Sequence, residues 1–241
     1  MLNEKLRDLL IQGAKENLTM LDKEKTDKLD IFIDLLKEWN EKINLTTISG
    51  DEEIVTKHII DSLSCFKTDV IKSNIKMIDV GTGAGFPAIP IAIVDSTIDI
   101  TLLDSLNKRL KYLDIVINQL KLTNVKTLHA RAEDAGQNKL YREMFDVVTA
   151  RAVAPLRILL ELCLPFLKDG GYFVCMKGPG FYEEVEESKV ALEKLGGNIV
   201  RVIDTPIIGT DLCHNILLIQ KTGIMPKHYP RKPGKPVSNP L

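Results

Sequence analysis

The chain has 241 residues, 44% of them hydrophobic and 27% charged, which allows one large domain with an ordinary core and excludes a disordered or fibrous polypeptide. Its 32 Lys and Arg nearly balance 33 Asp and Glu, yet five of the basic residues and none of the acidic ones lie beyond Asp211, so a polyanion would be met locally rather than over the whole surface. Glu4, Lys5, Arg7 and Asp8 stand where an export signal needs an apolar stretch, and the longest uncharged run, 80–94, is short and broken by glycine and proline, so neither secretion nor a membrane span is expected.

Residues 1–72 read as a helical region. Leu6, Leu9, Leu10 and Ala14 recur at helical spacing, and Leu29, Phe32, Ile33, Leu36, Trp39 and Ile43 form a longer stripe between charges. Asp51 is placed to cap a third helix with Ile54, Val55, His58, Ile59 and Leu63 on its apolar side. From residue 73 to 222 the pattern alternates. Strands are expected at 75–80, 98–103, 125–130, 145–150, 171–176, 199–203 and 215–220, with helices at 87–94, 106–120, 133–142, 155–167 and 182–195. Such alternation predicts an α/β fold with a seven-stranded, mostly parallel sheet covered on both faces, and a closing hairpin adds an antiparallel edge. Cys65, Cys163, Cys175 and Cys213 lack any Cys-x-x-Cys spacing and read as reduced thiols of a cytoplasmic protein, with no metal site. Residues 223–241 form a basic tail. Five prolines between Pro226 and Pro240 predict an extended segment that orders only on a partner.

The first strand ends in Asp79-Val-Gly81-Thr-Gly83-Ala-Gly85-Phe86-Pro87. Strand, glycine loop and helix build a nucleotide site at the carboxyl edge of an α/β sheet. Dinucleotide loops place the last glycine three residues after the second, to seat a pyrophosphate on the helix N-terminus. The tighter spacing here, with Phe86 and Pro87 next, suits a ligand without pyrophosphate, and S-adenosylmethionine is the expected cofactor. Asp104 ends the second strand, nineteen residues beyond Gly85, where an acid accepts hydrogen bonds from ribose hydroxyls; a plain helix N-cap is the weaker reading. Ala132 and Glu133 follow the third strand, at the adenine side, although Glu133 alone equally suits the first turn of a helix. Asp79 is placed to orient the loop or face the sulfonium.

The acceptor is read by elimination. Methylating an exocyclic amine calls for a polar-Pro-Pro-aromatic loop after the fourth strand, where this chain has Ala150-Arg151-Ala152-Val153. Pyrimidine C5 chemistry calls for a nucleophilic cysteine on these loops, and none is there. A ring nitrogen with a free lone pair, such as guanine N7, calls for neither, and positioning with electrostatics suffices. Arg151 and Lys177, directly after strands four and five, are expected beside the transferred methyl.

These motifs resemble the bacterial 16S ribosomal RNA guanine-N7 methyltransferase G family, formerly called glucose-inhibited division protein B. The resemblance rests on the loop 79–87, His58-x-x-Asp61-Ser62-Leu63, Asp104-Ser105 with Lys108-Arg109, Ala130-Arg131-Ala132-Glu133, Arg151-Ala152-Val153, Lys177-Gly178, Trp39 to Thr46, and the Pro-Arg-Lys-Pro-Gly tail. Ala88 departs from the family, which usually has a fourth glycine there. The resemblance implies a Rossmann-like class I methyltransferase acting, as a cytoplasmic monomer, on guanine N7 in the 530 loop of the small ribosomal subunit. It implies cofactor contacts from Gly81, Phe86, Asp104, Ser105, Leu106, Ala132, Glu133 and Arg151. It moves His58, Asp61 and Ser62 to the RNA side. Lys108, Arg109, Lys227, Arg231, Lys232 and Lys235 are expected to grip phosphates, with Tyr229 stacking on a base. A small-molecule methyltransferase and a non-catalytic assembly factor are the alternatives.

Overall fold

The computed structural model describes residues 1–151 and 154–241. α1 (Glu4–Glu16) is capped by the Asn3 side chain and buries Leu6, Leu10 and Ala14. α2 (Lys23–Ile43) is capped by Asp22, buries Leu29, Phe32, Ile33 and Leu36, and stops at Asn44 in the left-handed conformation. The next segment changes helical type three times. α3 (Asp51–Ile54) starts after Gly50, so Asp51 occupies the first turn rather than the cap. A π turn, Val55–Ile60, leads into α4 (Asp61–Leu63) and a 3₁₀ turn, Ser64–Thr68. The π turn carries His58 and delivers the chain to Asp61, and such widened turns often mark functional positions.

Seven strands follow: β1 (Lys76–Val80), β2 (Asp99–Asp104), β3 (Val125–His129), β4 (Phe145–Arg151), β5 (Leu167–Lys177), β6 (Gly197–Pro206) and β7 (Cys213–Lys221). Their order is β3-β2-β1-β4-β5-β7-β6. The first five are parallel, and β7 runs antiparallel to both β5 and β6. Period-two alternation sorts the side chains. Met77, Leu102, Val147, Val174 and Ile216 face the layer that holds α1, α2, α5 (Ala88–Val94) and α6 (Asn107–Leu120). Ile78, Leu103, Val148, Cys175 and Leu217 face α7 (Ala132–Gln137), α8 (Leu156–Cys163), α9 (Phe181–Glu187) and α10 (Lys189–Leu195). The N-terminal helices therefore share one core with the sheet. Among the described residues, no helix is long and apolar enough to cross a membrane.

Two expected helices are shorter than the sequence pattern. The one at 133–142 ends at Gln137, and the one at 182–195 is broken at Ser188, whose hydroxyl bonds back to the Glu184 carbonyl. The tail corrects a larger expectation. It lies ordered on the body and forms a helical turn, α11 (Lys235–Ser238), with proline tolerated in the first turn. Tyr229 is buried, Pro230 packs on Gly136, and the Arg142 guanidinium donates to the Tyr229 carbonyl at 2.6 Å.

Candidate active site

The loop between β1 and α5 is shaped by its glycines. Gly81, Gly83 and Gly85 have φ of 72°, 58° and 94°, a region that side chains rarely adopt. A Cβ on Gly85 would also lie 2.6 Å from Ile89 and 2.9 Å from Leu113, so this third glycine serves packing against α6. Asp104 holds the loop to the end of β2. Its Oδ2 accepts the Gly83 N–H at 3.0 Å, and its Oδ1 accepts the Leu106 N–H at 2.8 Å. The carboxylate thus fixes the turn before α6 and faces the cavity, but it is not the helix N-cap, a position that Leu106 takes without a side-chain hydrogen bond.

This cavity has a volume of about 630 Å³, the scale of a site for a small organic ligand. Gly81, Gly83 and Phe86 line it from the loop, Asp104 and Ser105 from β2, Ala132 and Glu133 from α7, and Arg151 from β4. Asp79, Gly85 and Leu106 are not among its walls. Asp79 lies buried beneath the loop, where the Thr149 hydroxyl donates to its Oδ1 at 2.7 Å. Burial pushes its carboxyl up to about 7, opposed by that hydrogen bond and by the Arg151 charge. Leu106 is exposed at the start of α6.

Arg151 is fixed by the irregular helix. Its guanidinium donates to the Lys57 carbonyl at 3.2 Å, to Asp61 Oδ2 at 3.1 Å and to His58 Nδ1 at 3.2 Å, and it lies over the Phe86 ring at 4.9 Å. His58 stacks on the same ring at 4.6 Å, and its Nε2 lies 2.8 Å from the Thr46 hydroxyl. Burial and the Arg151 charge lower the imidazole to about 4, so it is neutral near pH 7. Nδ1 then accepts from Arg151, and Nε2–H donates to Thr46. The other Asp61 oxygen, Oδ1, meets His214 Nδ1 at 2.9 Å. A second cavity, of about 680 Å³, shares His58 and Arg151 with the first and adds Lys177, Glu184 and His214.

Known proteins share this architecture. The GidB family model, rRNA small subunit methyltransferase G, matches residues 25–205. The chain belongs to that family. Ribosomal RNA small subunit methyltransferase G of Acetivibrio thermocellus is 52% identical over 98% of this chain and 97% of the relative. Its counterpart in Clostridium perfringens strain 13 is 50% identical over 96% and 98%. Among solved structures, a SAM-dependent O-methyltransferase of Thermotoga maritima aligns with a TM-score of 0.51 at 16% identity, over 79% of this chain and 72% of that one. A SAM-dependent methyltransferase of Aquifex aeolicus aligns with a TM-score of 0.50 at 22% identity, over 66% and 89%. At such identities the likeness shows a shared fold.

Within this methyltransferase G family member, the residues expected on the RNA side separate into two groups. Lys108, Lys227, Lys232 and Lys235 are exposed. Ser62 is fully buried and donates to the His58 carbonyl, and Asp61 is buried between Arg151 and His214, so neither faces solvent. Arg109 leans on Asp104 at 3.4 Å. Arg231 is committed to the buried Glu161, which accepts from its Nε at 2.9 Å and its Nη2 at 2.6 Å. Tyr229, expected to stack on a base, is buried in the core beside α7 and α8. For Tyr229 and Arg231 the cause is the tail, which is packed against the helices, whereas Asp61, though buried, still lines the second cavity. Lys177 donates to the Ala154 carbonyl at 3.0 Å and to Glu184 Oε2 at 2.7 Å in the second cavity, and Gly178 lines the same wall. Ala152 and Val153 lie outside the described residues. Sequence reasoning missed Thr82, Arg131 and Val237 on the first cavity and Glu184 and His214 on the second. Thr82 and Arg131 stood inside quoted motifs. Glu184 and His214 carried no local signal.

Proposed function

We propose that this chain methylates 16S ribosomal RNA in the cytoplasm, placing the methyl of S-adenosylmethionine on N7 of a guanine in the 530 loop. The observation that carries the reading is the meeting of two cavities at Arg151 and His58, one fitted to a nucleoside and the other open to an acceptor. The first cavity fits the cofactor chemically. The positive-φ glycines Gly81 and Gly83 leave that wall of the cavity free of side chains, and Asp104 presents a carboxylate for ribose hydroxyls. Gly81, Gly83 and Phe86 would hold the loop side, with Ala132 and Glu133 at the base. When bound, the cofactor supplies a methyl on an electrophilic sulfonium.

The chain's own part is positioning. Guanine N7 has a free lone pair, so no general base is needed. Arg151 presents fixed positive charge at the junction and is held by Asp61 and His58 against rotation. The neutral His58 adds no second positive charge beside it. The exposed Lys108, Lys227, Lys232 and Lys235 would neutralise RNA phosphates. The names of the relatives support an rRNA acceptor.

Labelled S-adenosylmethionine and 16S rRNA test the reaction, with the modified base mapped by primer extension. Asp104→Ala tests the cofactor site. Calorimetry should show affinity reduced by roughly 10- to 100-fold, the range of a charge-assisted hydrogen bond, with the fold retained. Unchanged affinity would remove Asp104 from the site.

A further inference from the structure

The second cavity is lined by an ion pair that the methyl-transfer geometry leaves unexplained. Lys177, at the end of β5, and Glu184, on α9, meet at 2.7 Å on its wall. Both donors to Glu184 use the same oxygen: Lys177 Nζ and the Leu156 N–H at 2.6 Å both reach Oε2. Oε1 has no partner among the described residues, and the side chain is 34% exposed. The Lys177 ammonium spends two of its three N–H bonds, on Ala154 and Glu184. Among the described residues, one donor and one acceptor are thus left side by side. Ile48, Pro155 and Met176 supply apolar surface for a flat ring.

Among the purines, that pattern complements one base edge. Guanine presents an acceptor at O6 next to donors at N1 and N2, whereas adenine presents a donor where O6 would be and an acceptor at N1. We infer that Lys177 and Glu184 form the reader of the acceptor base, with Lys177 donating to O6 and Glu184 Oε1 accepting from N1–H and the 2-amino group. N7 lies on the opposite side of O6 from N1. A base read this way keeps N7 on the Lys177 side, away from Glu184, and Lys177 follows Met176, the strand partner of Arg151. The inference rests on the proposed rRNA methylation and adds the residues that choose guanine.

The test uses the full-length protein and rRNA fragments that carry guanosine or inosine at the methylated position. Inosine keeps N7, O6 and N1–H but lacks the 2-amino group. The wild type should prefer guanosine by roughly tenfold or more in kcat/KM, the range of a good base-edge contact. Glu184→Ala should bring that ratio close to one, while cofactor affinity by calorimetry stays within about twofold, the spread of an untouched site. Glu184→Gln keeps the shape but halves the acceptor capacity, and should also compress the ratio if the alanine variant folds poorly. A variant that transfers methyl with the wild-type ratio overturns this assignment alone. A wild-type protein that binds cofactor yet transfers to neither RNA overturns the proposed reaction and this inference together.

Discussion

The first cavity, proposed for the cofactor, draws on two consecutive β–α turns, at 81–86 and 104–109, whereas the second, proposed for the acceptor, draws on residues 57, 58, 61, 151, 177, 184 and 214. Asp104 reaches Gly83 across 21 positions, but Arg151 reaches Asp61 across 90 and Asp61 reaches His214 across 153. The first arrangement follows from how parallel strands end, since any doubly wound sheet brings its successive strand termini to one edge. The second exists only when the irregular helix is docked over the sheet. Cofactor binding should therefore tolerate disturbance of the N-terminal contacts better than methyl transfer does.

Replacing Arg151 attacks the long-range half most directly. Arg151→Met leaves the Asp61 carboxylate buried with only His214 beside it, and urea denaturation should show about 3 kcal/mol of lost stability along with lost transfer. Adding Asp61→Asn should return much of that stability without returning activity. If the double variant is no more stable than the single one, the two residues do not form the lock described.

Removing residues 226–241 probes whether the cofactor half is as local as it looks. The tail contributes Val237 to that cavity, and the Gly234 N–H donates to Glu133 Oε1 at 3.0 Å. It also neutralises the buried Glu161 through Arg231. Truncation should lower stability by about 2–3 kcal/mol and weaken cofactor binding by calorimetry, because a buried carboxylate is left unpaired. Changing only Lys227, Lys232 and Lys235 to alanine should leave both intact and flatten the salt dependence of RNA binding. Identical cofactor affinity in the truncated chain would return the cavity to strictly local construction.

The smallest effect near neutral pH belongs to His58. Its folded value, about 4, lies below the ordinary 6.5, so between these values the unfolded chain binds the extra proton. Stability should rise with pH across that window and level off above it. By pH 4 the loss amounts to about 3 kcal/mol, at roughly 1.4 kcal/mol for each unit of difference. Asp79, raised to about 7, contributes with the opposite sign: the folded state holds the extra proton, and stability falls as pH climbs toward 7. Comparing His58→Gln with wild type cancels the Asp79 contribution. The variant should lose less between pH 6.5 and 4.5, and parallel curves would mean that His58 is not kept neutral by its surroundings.

The same contrast explains what was legible in the sequence. Alternating apolar residues and turn chemistry are local, so all seven strands and the parallel-to-antiparallel change were readable to within a few residues, as was the placement of Gly81, Gly83, Asp104 and Glu133 on one cavity. The burial of Ser62 and the His214–Asp61 contact depend on packing between segments far apart in sequence, and no spacing encodes them. The tail misled for a related reason. Its prolines and lysines resemble a solvated arm, but one buried glutamate on α8 and one small residue, Gly136, decide that it packs. Composition registers neither.

The Phe86 ring at the end of the glycine loop also touches Phe32 of α2, with centroids 5.2 Å apart. This contact couples the order of melting to ligand retention. If the outer helices peel away as a separate cooperative unit, the loop loses its aromatic anchor while the strands are still intact. Such a partly opened molecule would retain most of its backbone protection against hydrogen exchange and yet release a nucleoside faster.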